Sequence, residues 1–140
     1  MNQEQIHRVS QSVYMLVACV PTWSLGANNK IVITFQGVDG TNIETYDDCF
    51  DASMRFIDLG EVWTESARKM IEAFILFADN SSTEDLGTLK TISGLGNLLT
   101  TTGNVLRQQT DSLVKYVLEN TASPAIMVVI NEDNDDVRRN

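Results

Sequence analysis

The chain has little of what enzymes and metal sites are usually built from. Its 140 residues include one histidine, two cysteines and two prolines. A zinc site would have to combine His7, Cys19, Cys49 and a carboxylate, and none of the usual close pair spacings is present. The single histidine likewise excludes most catalytic triads. Two cysteines are too few for a disulfide framework, so we expect reduced, partly buried thiols.

Long apolar runs are also missing. The longest, Ile126–Ile130 and Ala73–Ala78, are far too short to cross a bilayer. The first residues, Met1 to Arg8, are polar and no apolar run follows them, so a secretory signal is not predicted. These absences predict a protein without membrane contact, located inside the cell (cytoplasmic) or in a virion.

Positive charge is scarce. The net charge is −9 and the isoelectric point about 4.4. Such a monomer repels phosphate backbones, which disfavours nucleic-acid binding. An assembled basic groove remains an alternative, formed where these side chains converge: Arg55, Arg68, Lys69, Arg107 and Lys115.

The sequence has no complete motif for a phosphate loop, a reactive thiol or a cation site. Gly94-Leu95-Gly96 has no lysine at phosphate-loop spacing. Cys49 follows two aspartates, whose charge disfavours a reactive thiolate. Asp47, Asp48 and Asp51 are more typical of an acidic turn and helix cap than of a cation site. No cofactor, metal or catalytic residue is predicted, and we expect a protein that is not an enzyme.

What is present indicates a core of helices and strands. A hydrophobic content of 43% suits one globular domain, predicted over residues 1–130, with an acidic polar tail over 131–140. Apolar residues at helical spacing and turn residues between them predict an α+β fold with four to five helices. The helices are expected at about 3–20, 48–59, 63–79, 83–93 and 96–120, on a small, mainly antiparallel sheet of strands at about 30–36, 41–46 and 125–130.

Two of the predicted helices have side chains that suggest helix-to-helix contacts beyond one monomer. The helix over 63–79 is apolar on most sides, and the one over 96–120 has polar residues at inward positions between Leu106 and Leu113. A polar residue at such a position can set the register between helices. A solvent-exposed stretch on an ordinary core helix is an equal alternative. The candidate interface residues are Trp23, Phe77, Gln109, Thr110, Asp133, Asp136, Arg138 and Arg139.

These observations predict a non-catalytic structural or assembly subunit that associates with itself or with other protein subunits, as in a virion or filament. The order of the predicted elements is similar to that of coat proteins of rod-shaped viruses, by analogy and without a shared motif. The alternative is an acidic inhibitor or adaptor that binds a basic partner or imitates nucleic acid. A small enzyme using Cys19, Asp47 or Asp51 is the least favoured hypothesis.

Overall fold

The computed structural model describes residues 1–121. Within them lie three α-helices and one three-stranded antiparallel sheet, so the expected four to five helices are wrong. The strand expected at 125–130 and the tail at 131–140 lie outside the described residues. The elements in order are α1 (Gln3–Ala18), β1 (Thr22–Leu25), β2 (Ile31–Gly37), β3 (Gly40–Tyr46), α2 (Cys49–Asp79) and α3 (Leu86–Thr121).

Local capping explains where α1 begins and ends. The Asn2 side chain accepts a hydrogen bond from the Gln5 backbone, and the Gln5 side chain accepts one from the Asn2 backbone, which satisfies two free donors of the first turn. The helix ends at Ala18, two residues before the expected end at residue 20, because Pro21 disfavours helical backbone in the residue before it. Val13 is fully buried and fixes the inward side of this helix.

The sheet has the order β1-β2-β3. The strand β1 lies between the helix expected at 3–20 and the strand expected at 30–36, where no element was predicted. Asn28 and Asn29 turn the chain between β1 and β2 with φ near +60°, a region that asparagine tolerates well. Gly40, with φ of 114°, closes the predicted turn between β2 and β3.

The central strand β2 is paired on both sides. Ile33 lies opposite Trp23 of β1 and opposite Glu44 of β3. Both edges of β2 are therefore occupied, one by β1 and the other by β3.

The helices expected at 48–59 and 63–79 are one helix, α2. The Asp48 side chain accepts from the Asp51 backbone N–H and caps its start. Gly60, which was expected to end a helix, is buried in its interior. A β-carbon built on Gly60 would lie 3.6 Å from Leu106 Cδ1, so this glycine lies where α2 closely approaches α3.

The helices expected at 83–93 and 96–120 are also one helix, α3, preceded by a single 3-10 turn at Thr83–Asp85. Ser82 and Asp85 form the predicted capping box before it. Gly94 and Gly96 do not break α3. The inward side of α3 is apolar on both sides of these glycines, and its buried residues are Ile92, Leu95, Leu99, Leu106, Leu113 and Val117. Burial of that side outweighs the roughly 1 kcal/mol that each interior glycine costs.

The core lies where the sheet and α1 cover one side of the antiparallel pair of α2 and α3. Ile31 and Ile33 of β2 are fully buried in one cluster with Phe56 of α2 and Leu113 of α3. Val13 adds α1 to the same cluster. The opposite side of the helix pair carries no other element of residues 1–121.

Candidate functional site

We call the uncovered side of the α2–α3 pair the open face. On α3, Gln109 and Tyr116 contact Trp23 of the sheet. Arg107 precedes Tyr116 by nine residues, which is a rotation of about 180° around a helix of 3.6 residues per turn. Arg107 therefore points away from the sheet, and it lines a groove between the two helices.

The groove runs along most of the helix pair. One part has a volume of about 790 Å³ and a second, smaller part about 200 Å³, and Ile71 lines both. On α2 the groove extends from Ile57 to Ala78, a rise of about 32 Å. Seven of the α2 lining residues, including both ends, recur at spacings of four and three, and the five between the ends are Glu61, Thr64, Arg68, Ile71 and Ile75. That spacing keeps these side chains on one side of α2, with apolar residues at the ends and polar residues in the middle.

The α3 side of the groove includes small residues at the same spacing. They are Ser93, Gly96, Thr100, Gly103 and Thr110, and they lie beside larger lining residues such as Leu99, Leu106 and Arg107. At the end of the groove where α2 presents Ile71 and Ile75, α3 presents Gly96 and Ser93.

Exposed apolar side chains lie at both ends of the open face. Phe50 and Met54 continue the α2 spacing before Ile57, and they are 65% and 44% exposed. Leu118 continues the α3 side at that end. Ile75 and Leu86 are exposed at the other end. Large apolar groups on one side of a helix pair mark a surface suited to protein contact.

Charged side chains lie on the middle of the open face. Arg68 donates to Glu65 at 2.7 Å and to Glu72 at 3.3 Å, both on its own helix. The hydrogen bond from Arg68 lowers the pKa of the Glu65 carboxyl. Within residues 1–121, no ion pair or side-chain hydrogen bond is found for Glu61 or Arg107. These two charges are available to a partner.

The predicted interface residues fall in different places. Trp23 is half-buried, and its indole N–H donates to the Gln109 carbonyl at 2.8 Å. That ring packs inside the chain, 6.1 Å from the Tyr116 ring. Thr110 lines the open face, whereas Gln109 contacts the sheet through its backbone carbonyl and does not line the groove. Phe77 is half-buried and lies outside both parts of the groove.

The other predicted interface residues are Asp133, Asp136, Arg138 and Arg139, and they lie outside the described residues. Within residues 1–121, no group of three or more histidine, cysteine or acidic side chains is arranged to hold a metal ion. Cys19 and Cys49 are half-buried and not bonded to each other. No helix of the described chain is long and apolar enough to cross a membrane.

Sequence reasoning missed most of the open face. The signal was the repeat from Phe50 to Ala78, but it crosses Gly60, where two separate helices were expected. Once α2 is read as one helix, the spacing of four and three continues through Glu61 and Thr64. The repeat on α3 was hidden in the same way by Gly94 and Gly96.

Comparison with known proteins gives no further assignment: no protein-family model, curated protein or solved structure matches the chain.

Proposed function

We propose that the protein is a non-catalytic assembly subunit that self-associates through the open face. The observation that carries the proposal is the exposed seven-residue repeat on a helix pair whose other side is already covered. Apolar residues at this spacing, here Ile57, Ile71, Ile75 and Ala78, are typical of helices that pack along other helices. Exposed apolar residues at both ends of the repeat gain most from such packing.

The size of the open face supports self-association. From Phe50 to Ala78 α2 rises about 42 Å, and two adjacent helices are about 20 Å wide, which gives on the order of 800 Å². One partner of a stable protein interface typically buries about 800 Å². The open face is therefore large enough for a specific contact with a second copy.

The test is the mass of the full chain in solution, measured by sedimentation velocity or light scattering over a wide concentration range. We expect a concentration-dependent oligomer. Ile75→Asp should weaken it at least about tenfold, because a carboxylate would be buried against apolar surface. Ile75 is 56% exposed in the single chain, so the variant should still fold.

Leu76→Asp is the matched control. Leu76 is 64% exposed, but it is rotated about 100° from Ile75 and does not line the groove. It should leave association unchanged. A monomer at every concentration, or equal effects of the two variants, would contradict self-association through the open face.

A second candidate is an acidic adaptor that binds a basic partner. Five acidic residues recur at seven-residue intervals along α2: Asp51, Asp58, Glu65, Glu72 and Asp79. This function predicts a complex with a basic protein whose affinity falls steeply with salt. Charge reversal at Asp58, which does not line the groove, should weaken such a complex.

A further inference from the structure

Three contacts fix which residues of α2 and α3 lie at the same level. Gly60 lies against Leu106, Trp63 against Gly103, and Phe74 against Gly96. Glu61 and Arg107 each come one residue after the first of these pairs, and because the helices are antiparallel they lie within about 3 Å of the same level on opposite sides of the groove. Ile71 and Ile75 lie at about the levels of Gly96 and Ser93.

The two helices differ in charge as well as in size. The charged residues that line the groove are Glu61, Glu65, Arg68 and Glu72 on α2 and Arg107 and Asp111 on α3. The α2 side is therefore net negative and the α3 side neutral, so contact of α2 with α3 brings less like charge together than contact of α2 with α2. An α2 helix is also complementary to an α3 helix in shape, because the isoleucines of α2 meet glycine and serine of α3 at the same level.

We infer that the open face is occupied by a second copy of the chain, with each α2 packed antiparallel on the other copy's α3. This inference rests on the proposed function of self-association. The twofold axis of the dimer then runs parallel to the helices. Each residue of the open face therefore lies opposite residues of the partner subunit at the same height along the helix axis. Glu61 faces the partner subunit's Arg107, and the contact occurs twice.

The other antiparallel arrangement, with α2 on α2, is less favourable. It places the acidic helix against itself, and like charges in contact repel. When the twofold axis of that arrangement crosses the open face near its middle, at Thr64, Glu61 lies near the partner subunit's Arg68 instead of the partner subunit's Arg107, while the remaining acidic residues of the two α2 helices still repel. The two arrangements therefore predict different effects of charge reversal at Arg68 and Arg107.

The experiment measures the dissociation constant of the full chain by sedimentation velocity. Glu61→Arg and Arg107→Glu each turn two attractive contacts into two repulsive ones, so each should raise the constant about tenfold. An equimolar mixture of the two variants should associate about as tightly as the wild type. In the mixed dimer each arginine at position 61 or 107 again faces a glutamate.

The mixture separates contacts between chains from contacts within one chain, since mixing cannot repair an interaction inside each variant. Asp58→Arg and Lys69→Glu are matched controls that carry the same charge changes outside the groove, and each should stay within about threefold of wild type. Circular dichroism checks that every variant is folded.

Each remaining outcome contradicts a stated part of the inference. Loss of association with Arg68→Glu but not with Arg107→Glu would overturn the arrangement in favour of α2 on α2. An oligomer that responds to none of these reversals more than to its controls would also overturn it, while self-association itself stands. A wild-type monomer at all concentrations would mean that another occupant, such as residues 125–130 or a different protein, covers the face, and both proposals would fall.

Discussion

The indole N–H of Trp63 donates a hydrogen bond of 2.6 Å to the backbone carbonyl of Leu16. Leu16 lies in the last turn of α1, where carbonyl groups lack a full set of partners within the helix. Trp63 thus fastens the end of α1 to the middle of α2. This contact holds α1 on the same side of the α2–α3 pair as the sheet. The opposite side, which is the open face, is therefore not covered by α1.

Trp63→Phe should lower the free energy of unfolding by about 1–3 kcal/mol. The change removes the hydrogen bond to Leu16 and part of a buried ring, and both losses are destabilising. Urea unfolding followed by circular dichroism measures it as a lower midpoint at an unchanged slope.

Trp23→Phe is the control for Trp63→Phe, because it removes the other indole hydrogen bond to a backbone carbonyl. Trp63 is only 4% exposed, whereas Trp23 is half-buried at an edge strand, so Trp23→Phe should cost less. Equal losses for the two variants would show that the Trp63–Leu16 bond has no special role in holding α1.

Gly60→Ala should raise the free energy of unfolding by about 0.5–1 kcal/mol. The new methyl group would meet Leu106 at 3.6–3.8 Å, an ordinary van der Waals distance, and alanine is the better helix former. Thermal and urea unfolding would measure the gain. Gly60→Leu provides the contrast, because a side chain of that size would push α2 away from α3. Destabilisation by alanine would show that the two helices cannot accept even one methyl group.

Glycines also explain why each of the two long helices was predicted from the sequence as two shorter ones. Gly60, Gly94 and Gly96 are local signals for breaks, and the cost of each is small enough for tertiary packing to override. The packing itself is not local: Gly60 lies against Leu106, and only the folded pair reveals it.

Other elements were predictable to different degrees. The apolar spacing of the last helix indicated its inward side only in part: Leu95, Leu99, Leu106 and Leu113 are buried, whereas Val105 and Leu118, at the same predicted spacing, are exposed. The strand β1 had too short a pattern to be recognised. It pairs with the next strand, β2, along four residues, and Trp23 fastens it to Gln109 of α3, a contact between distant parts of the chain.

Asp48→Ala should cost about 1 kcal/mol in unfolding free energy. Its side chain accepts a 3.0 Å hydrogen bond from the Asp51 N–H, which has no partner within the helix. Asp47→Ala is the neighbouring control. Asp47 pairs only with Lys30 at 3.3 Å, and its side chain is 83% exposed, so it should cost little. Chemical unfolding of both variants at neutral pH compares them, and a larger effect of Asp47→Ala would contradict the cap.

The last prediction concerns pH and the contact between β3 and α2. Glu44 accepts hydrogen bonds from Arg55 at 2.8 and 3.2 Å and from the Tyr46 hydroxyl at 2.8 Å. The hydrogen bond from Arg55 is the main reason that the pKa of Glu44 lies below its ordinary value of 4.5. The ionised carboxylate is therefore favoured in the folded chain.

Glu44→Gln should lower the free energy of unfolding by up to about 1 kcal/mol at neutral pH, because the side chains of Glu44 and Arg55 are 32% and 39% exposed and solvent weakens their attraction. Because the pKa of Glu44 is lowered in the folded chain, the unfolded chain binds more protons as the pH falls below about 4.5. The stabilising contribution of Glu44 is therefore complete above pH 4.5 and is lost as the pH falls through the folded pKa. Urea unfolding from pH 7 to pH 3 should show the variant and the wild type converging at the acidic end. Glu119→Gln, at an exposed position on α3, should follow the wild type throughout. A Glu44→Gln deficit that stays constant down to pH 3 would show that the Glu44 charge does not stabilise the contact.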